Sequence, residues 1–403
     1  MTNRIRIGRS LPPAAAPIPL KDVLRALPAC FQDDVADSDF VKEIKQDFGQ
    51  KFCLLASTGK AGLVLILEAL RALHPDRDEV VIPAFTCYSV PAAVKKAGLK
   101  IRLCDTGKGT LDYDKVNLAE IVEKNHQKNK ILCVLITHLF GCPADFDGIK
   151  AIVGDTIPLV EDAAQAMGEE KNSKKLGTQA DVGFFSLGRG KALSTMDGGI
   201  VITSRDDIGY ELLRLSKKLE RFTVSDKIKL AVKAIFTTLM QHPAVFWLPK
   251  SMPFLRLGET IYEEDFPMCL MSSFQISLTH NWRKRLQRHQ RARREHINFW
   301  RTISLQNSFV MCRESRSVNL VRLPVMVLSA QDRDKFCRTS NTKGCGIMPT
   351  YPTAINDIPQ ISGEFAGQLF PNAQYLAEHL LTLPVHEYVQ NSDRTKILDI
   401  LNS

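Results

Sequence analysis

The 403-residue sequence lacks the cysteine spacings of a metal site or a disulfide framework, because its ten cysteines include no CxxC pair and no Cys/His cluster at zinc spacing. A signal-peptide core is also missing, since four prolines interrupt the stretch from Leu11 to Leu20. Apolar content of 44% argues against a multi-span membrane protein. Together these absences predict reduced thiols, no bound metal and a cytoplasmic location.

The composition is that of a core-forming protein with two lobes. Charged residues make up 24% of the chain, near the globular average, and its length exceeds the ~250 to 300 residues at which a single core stops growing. The net charge of +9 is concentrated between Arg283 and Glu295. Interleaved aromatics are missing there apart from Trp282, so we predict a solvated helix linking the lobes and no nucleic-acid partner. A diphosphate or an anionic headgroup is the alternative ligand.

Strand-like and helix-like segments alternate through the first half of the chain. The helix-like segments include residues 40–48 and 63–73. This alternation predicts an α/β lobe with a mostly parallel sheet. Beyond Asp206 the pattern changes to long helical stretches, a strand-like segment at 318–327 and a helix-rich tail, which we assign to a second lobe. The strand-like runs of the first lobe are residues 52–56, 79–82, 100–104, 131–137, 158–161, 182–187 and 199–203.

Three elements of the first lobe each supply one part of a site for a phosphorylated aromatic cofactor. The first is the turn at residues 58–62, which opens a helix directly after a strand. Free N–H groups and the positive end of the helix converge there, and that arrangement suits a phosphate. The alternative is that small residues simply make a tight turn.

The other two elements are strand ends. Asp162 follows a strand, where its carboxylate can hold a pyridine nitrogen protonated, and Gln165 can reach the oxygen of the same ring. Lys191 lies in a glycine-containing loop after another strand and is a candidate Schiff-base lysine. The alternatives are that Asp162 only caps the next turn and that Lys191 is an ordinary surface lysine.

Taken together, these elements resemble the DegT/DnrJ/StrS family of pyridoxal-phosphate (PLP) sugar aminotransferases. The resemblance implies an aspartate aminotransferase-like, fold-type-I enzyme with an N-terminal segment (1–45), a large PLP-binding domain (46–265) and a smaller α+β C-terminal domain (266–403). The motifs that carry it lie at residues 40–43, 48–49, 58–63, 82–86, 138–145, 161–166, 186–191, 198–199, 271–275, 351–352 and 383–386.

The resemblance also implies roles for individual residues. Lys191 is the lysine that bonds to the cofactor, Asp162 the partner of its ring nitrogen, Gln165 a ligand of its ring oxygen and Ser186 a phosphate contact. The turn residues that complete the phosphate site are Gly59, Lys60 and Ala61.

The sequence departs from the family pattern at two cofactor positions. Cys87 stands where the family usually stacks an aromatic ring on the cofactor, and Tyr88 is the candidate that compensates. Lys60 replaces the usual threonine and is expected to bring a cation close to the phosphate. We interpret His138, on another strand-end motif, as a packed or hydrogen-bonded structural histidine.

The activity implied by the resemblance is transfer of an amino group from an amino acid, glutamate, to a nucleotide-linked keto-sugar, in polysaccharide or secondary-metabolite biosynthesis by a homodimer. Related dehydratases carry histidine at the position of Lys191, so lysine favours amino transfer. Two alternatives stay open: another reaction at an amino acid, such as decarboxylation or C–S cleavage, and a cofactor-binding regulator without turnover.

One apolar helical stretch, residues 228–257, does not match the core of the family. It is shorter than the ~20 residues that a spanning helix needs before it meets Pro243. We expect it to be buried in a dimer interface or under the second lobe. The alternative is a peripheral membrane contact with Trp247 and Lys250 at the headgroup level.

Overall fold

The computed structural model of the protein describes residues 7–34, 38–252, 255, 257–258, 260–303, 305, 308–311 and 319–403, without the side chains of 126–128. The strands in this part of the chain are β1 (Phe52–Ala56), β2 (Glu79–Pro83), β3 (Lys100–Cys104), β4 (Ile131–Thr137), β5 (Leu159–Asp162), β6 (Glu170–Lys171), β7 (Lys174–Lys175), β8 (Val182–Ser186), β9 (Gly199–Thr203), β10 (Ser308–Val310), β11 (Leu323–Val327) and β12 (Leu380–Leu383).

The helices cover the faces of the sheets and form much of the second half of the chain. They are α1 (Leu20–Ala26), α2 (Asp39–Phe48), α3 (Gly59–Leu73), α4 (Ser89–Lys96), α5 (Lys115–Lys128), α6 (Phe146–Val153), α7 (Asp206–Ser216), α8 (Val224–Met240), α9 (Trp247–Lys250), α10 (Ser273–Ser277), α11 (Trp282–Thr302), α12 (Ala330–Lys343), α13 (Pro371–His379) and α14 (Asn391–Leu401). Short 3-10 helices lie at Leu27–Phe31, Leu139–Gly141, Ile355–Asp357 and Ser362–Phe365.

A seven-stranded sheet in the order β1-β9-β8-β5-β4-β2-β3 forms the centre of the protein. The pairs from β8 through β5, β4 and β2 to β3 are parallel, whereas β9 runs antiparallel to both β1 and β8. The predicted α/β class and mostly parallel sheet are therefore confirmed. Parallel pairing brings the carboxyl ends of β4, β5 and β8 to one edge, where ligand sites form in such sheets.

Helix α3 begins four residues earlier than the apolar pattern predicts. The Thr58 side chain caps it by accepting a hydrogen bond from the N–H of Ala61 at 3.0 Å, so the helix starts at Gly59 rather than at Leu63. The helix is buried between the sheet and its neighbours α4 and α7. Its first turn is consequently fixed at the edge of the sheet.

A second, antiparallel sheet in the order β10-β11-β12 packs with α12 and α14 around a core of its own. The strand-like segment predicted at 318–327 corresponds to β11, and position 318 lies outside the described residues. The tail predicted as helix-rich contains α12, α13 and α14 but also β12, which the sequence pattern did not indicate. The boundaries at residues 45 and 265 stay predictions.

Helix α8 carries most of the apolar stretch that does not match the family. One face packs through Ala231 and Ala234 on a small core that includes Val23 of α1. The other face leaves Ile228 and Val232 exposed on the single chain, and burial of this stretch in a dimer interface or under the second lobe stays a prediction. No helix in the described ranges is long and apolar enough to cross a membrane.

The basic helix α11 was predicted to be a solvated linker. That prediction is wrong, because two of its arginines are not solvated. Arg285 and Arg293 are buried. The Nη2 group of Arg293 donates to the carbonyls of Lys191 at 2.8 Å and Ala15 at 3.4 Å, and its Nη1 donates to Ala192 at 3.2 Å. Burial lowers the pKa of Arg293 to about 10, which still leaves it charged at neutral pH. Helix α11 therefore holds the loop that contains Lys191.

We expect Arg293→Met to lower the free energy of unfolding by about 2–4 kcal/mol, because three buried carbonyl oxygens lose a charged hydrogen-bond donor. The matched control is Arg291→Met on the same helix, where the side chain is exposed and the change should stay within about 0.5 kcal/mol. Urea denaturation of both variants measures the difference. Equal unfolding midpoints would contradict the holding role of Arg293.

Cysteine chemistry differs from the expectation at one position. Cys142 is disulfide-bonded. The expectation of reduced thiols is therefore wrong at Cys142. Other cysteines behave as small core residues: burial raises the pKa of the Cys104 and Cys133 thiols, which keeps them protonated and unreactive. The described residues hold no cluster of three or more potential metal ligands.

Candidate active site

A cavity of about 870 Å³ opens where the carboxyl ends of β4, β5 and β8 meet the N-terminus of α3. Most of the predicted site residues line it, although they are far apart in sequence. The structure does not bring Ala61 and Tyr88 to the cavity wall. The predicted residues that line it are Gly59, Lys60, Cys87, Asp162, Gln165, Ser186 and Lys191.

The start of α3 is pressed against the end of β8. A side chain at Gly59 would place its Cβ 2.9 Å from the Cβ of Ser186, so only glycine fits there. Ser186 accepts a hydrogen bond through Oγ from the N–H of Gly188 at 3.3 Å. Backbone N–H groups and a hydroxyl therefore meet at the positive end of a helix, which suits a phosphate group.

Two details of the phosphate turn differ from the expectation. The N–H of Ala61 already donates to Thr58, because Thr58 caps the helix. The ammonium group of Lys60 lies 3.2 Å from the Glu263 carboxylate and 4.3 Å from the centre of the Phe266 ring. A carboxylate thus partners the Lys60 charge that was expected to lie close to the phosphate.

Asp162 is buried at the end of β5, where it both caps a turn and lines the cavity. Its Oδ1 accepts a hydrogen bond from the N–H of Ala164 at 3.0 Å, which caps the following turn, and the residue lines the cavity as well. Burial raises the pKa of Asp162, whereas the N–H of Ala164 and the charge of Lys191 oppose that rise. A buried carboxylate of this kind is stabilised by a cation, so a protonated ring nitrogen suits it.

His138 and Glu161 form a buried pair next to Asp162. The N–H of Ala144 donates to Nδ1 of His138 at 3.0 Å, so the proton of the ring is on Nε2, which donates to Glu161 at 2.7 Å. Burial would raise the pKa of Glu161, but hydrogen bonds from His138 and from backbone N–H groups such as that of Gln179 hold it below its ordinary value. His138 is therefore hydrogen-bonded as we interpreted it.

Gln165 and Cys87 lie beside Tyr351, which sequence reasoning did not assign to the site. Gln165 accepts a hydrogen bond from the N–H of Phe140 through Oε1, which leaves its amide nitrogen as a donor. The Tyr351 hydroxyl is buried, and its polar neighbours are the side chains of Gln165 and Cys87. Burial raises its pKa well above the ordinary value, so it remains a donor. The Tyr351-Pro352 motif in the sequence was the signal that could have placed Tyr351 at the site.

Tyr88 faces the second lobe instead of the cavity. Its hydroxyl is 2.6 Å from Oγ1 of Thr353 and accepts a hydrogen bond from the Thr353 N–H at 2.9 Å. The ring stacks on Tyr351 with the centres 6.4 Å apart. Tyr88 therefore packs against Tyr351, which lines the cavity, but does not line the cavity itself. Cys87 does line it.

Lys191 lies in a loop that neighbouring segments hold tightly. Gly190 has a φ of 74°, and a Cβ there would come within 2.9 Å of Ala14. The Lys191 carbonyl is bound by Arg293, as described above, while the residue lines the cavity near Asp162. The backbone of the candidate nucleophile is thus fixed.

A family model identifies the chain. The model of the DegT/DnrJ/EryC1/StrS aminotransferase family matches residues 33–227 and 269–402. The chain belongs to this family. Members of the DegT/DnrJ/EryC1/StrS family depend on PLP, so the predicted family and cofactor are confirmed.

Curated relatives in the DegT/DnrJ/EryC1/StrS family align with part of the chain. A GDP-4-keto-6-deoxy-D-mannose 3-dehydratase of Yersinia pseudotuberculosis is 31% identical over 179 residues, 43% of this chain and 44% of that protein. An L-glutamine:2-deoxy-scyllo-inosose aminotransferase of Streptomyces fradiae is 30% identical over 183 residues, 45% of this chain and 42% of that protein. The aligned parts span less than half the length of these relatives.

Solved structures show the same fold over nearly the whole chain. The Escherichia coli GDP-4-keto-6-deoxy-D-mannose-3-dehydratase with bound hydrated PLP has a TM-score of 0.75 at 19% identity, covering 98% of this chain and 100% of that chain. The sugar aminotransferase CalS13 from Micromonospora echinospora has a TM-score of 0.72 at 20% identity, covering 99% of both. The fold-type-I prediction is thereby confirmed.

The residues of the cavity fit PLP chemically. Its phosphate matches the N–H groups of the first turn of α3 and the Ser186 hydroxyl, its ring nitrogen matches the buried Asp162 carboxylate, and its aldehyde requires an amine such as that of Lys191. The roles of these individual residues stay predictions.

Proposed function

We propose that the protein is a PLP-dependent aminotransferase that moves an amino group from glutamate to a keto-sugar in sugar biosynthesis. The observation that carries this proposal is the meeting of Lys191, Asp162 and the N-terminus of α3 in one cavity. The relatives support the substrate class, since they include the inosose aminotransferase and, at 27% identity over 180 residues, a GDP-perosamine synthase of Vibrio cholerae that covers 44% of this chain and 47% of that protein.

In the proposed mechanism the tasks are divided among the residues of the cavity. PLP, when bound, supplies an electron sink for a carbanion at the amino-acid carbon. The N–H groups at the start of α3 and the Ser186 hydroxyl hold its phosphate, and the Asp162 carboxylate keeps a positive charge on the ring nitrogen. The Lys191 amine would hold the cofactor at rest and would then move a proton from the donor carbon to the cofactor. In the second half of the cycle it would move a proton in the opposite direction, from the cofactor to the acceptor carbon that carried the keto group.

Lys191 favours amino transfer over dehydration. The family resemblance implies that related dehydratases carry histidine at this position, and an imidazole cannot hold the cofactor through a Schiff base. Two alternatives would use the same cavity: another reaction at an amino acid, such as decarboxylation or C–S cleavage, and cofactor binding without turnover.

A half-reaction with glutamate separates these possibilities. We expect the PLP-loaded protein to lose its visible absorption band on addition of glutamate and to release 2-oxoglutarate, without carbon dioxide. Cysteine in place of glutamate should release no sulfide. A band that does not respond to amino acids would favour the non-catalytic regulator, and gas or sulfide release would favour the other reactions.

We further propose a cytoplasmic homodimer that pairs through the exposed apolar face of α8. Val224, Ile228 and Val232 follow one another at i, i+4 and i+8 on that face, and all three are exposed. A peripheral membrane contact is the alternative use of the same face. Light scattering of wild type and Val232→Glu, with flotation on anionic vesicles, distinguishes a dimer from a vesicle-bound monomer.

A further inference from the structure

Two parts of the chain that lie outside the family model also line the cavity. The model leaves out the residues before 33 and those between 227 and 269. From the first part, Pro12, Pro13 and Ala14 reach the cavity, and from the second part α8 and the segment after it do so. The cavity therefore extends beyond the segments that the family model matches.

Helix α8 presents one face to the cavity. Lys233, Phe236, Thr237 and Met240 line it, at the i, i+3, i+4 and i+7 spacing of a single helical face. Further apolar residues continue the same lining beyond the helix. We call the apolar members the apolar wall: Phe236, Met240, Phe246, Pro249, Leu255 and Leu257.

The apolar wall is attached to the family core by specific contacts. Lys233 forms an ion pair with Asp197 at 3.0 Å, in the loop that follows Lys191. Beyond the wall, Oγ1 of Thr260 donates to the carbonyl of Thr350 at 2.9 Å. The helix also packs on α1 through Ala231 and its neighbours. The wall is therefore a built part of the cavity.

The charges along this wall do not suit a diphosphate. Among the described residues that the two unmatched parts add to the cavity, Lys233 is the cationic one, and Asp197 already neutralises it. Phosphate groups are bound by unpaired cations and by convergent N–H donors. Proline, methionine and leucine side chains offer neither, whereas they do offer contact area to a hydrocarbon.

Phe236 leaves a large apolar surface uncovered at the cavity. Its side chain is 46% exposed, although it lines the site. An apolar group placed against this ring would remove water from both surfaces, which is favourable in proportion to the area covered. A polar sugar ring alone would leave that gain unused.

We propose that the keto-sugar acceptor carries an aliphatic chain that packs against the apolar wall while the keto group stands at Lys191. This proposal rests on the proposed function for the position of the keto group. The recognition itself belongs to residues outside the segments that the family model matches.

Binding of alkyl glucosides tests the apolar wall without turnover. The PLP-loaded full chain is titrated calorimetrically with glucosides from methyl to octyl, each below its micelle concentration. We expect affinity to rise about fourfold for each methylene group that reaches the wall. Phe236→Ser and, as a second variant, Met240→Ser should flatten this dependence on chain length.

Leu239→Ser is the matched control. Leu239 is on the same helix and is 47% exposed, but it does not line the cavity. The control should keep the chain-length dependence of wild type. The proposal would be overturned if affinity for wild type did not depend on chain length. It would also be overturned if all four proteins showed the same chain-length dependence, as expected for unspecific detergent binding. Glucoside binding needs no glutamate. A failed half-reaction would therefore contradict the proposed function without affecting the interpretation of the glucoside titrations.

Discussion

Lys191→Ala is expected to abolish covalent attachment of the cofactor. In wild type, borohydride should fix PLP to one lysine, and peptide mapping should find it at position 191. Lys191 lines the cavity beside Asp162, whereas the amines of Lys60 and Lys233 are held by Glu263 and Asp197. No other described lysine lines the cavity, so the variant should show no fixed cofactor.

The matched control for this experiment is Lys233→Ala, which removes another lysine of the same cavity. Attachment should persist in that protein. The Lys191→Ala protein should unfold at nearly the wild-type temperature, because Arg293 binds the backbone of residue 191 and not its side chain. Fixed PLP at a different lysine would overturn the assignment of the whole site.

Asp162→Asn is expected to lower kcat/KM for amino transfer on the order of 10²- to 10³-fold, the range for losing one group that stabilises developing charge in an enclosed site. The amide keeps the shape of the carboxylate and can still contact the N–H of Ala164. It cannot keep a positive charge on the ring nitrogen, so the electron sink weakens.

Cofactor binding should survive this change, because the phosphate and the lysine are held by other residues. Absorption spectra measure cofactor content, and turnover with glutamate and a keto-sugar measures the rate. Near-normal turnover with full cofactor content would contradict the role of Asp162. Glu161→Gln does not serve as a control, since Glu161 is hydrogen-bonded to buried neighbours on several sides.

The strands of the large sheet were predictable because each is a short apolar run between polar segments. Strands β1, β3, β4 and β9 have the predicted bounds, β2 and β8 differ by one residue at one end, and β5 is shifted by one residue at both ends. Helix α3 was predicted to start too late because the cap at Thr58 stabilises a first turn with little apolar character. Strand β12 was missed within a tail dominated by helical patterns.

The position of Asp162 and Lys191 in one cavity was predictable, since both follow strands whose ends meet at one sheet edge. The direction in which side chains point was not. Tyr88 bonds to Thr353, 265 positions later, and Arg293 bonds to the Lys191 carbonyl across 102 positions. Contacts at such separations leave no periodic trace in the sequence.

The bond from Arg293 to the Lys191 carbonyl has a consequence for the order of events during synthesis. A ribosome adds the 102 residues between the two positions in roughly 5–20 s, at about 5–20 residues per second. Throughout that interval the lysine loop has emerged without the helix that holds it. We therefore expect newly made chains to acquire PLP only after α11 has been translated and has docked, so that cofactor loading is a late step in maturation.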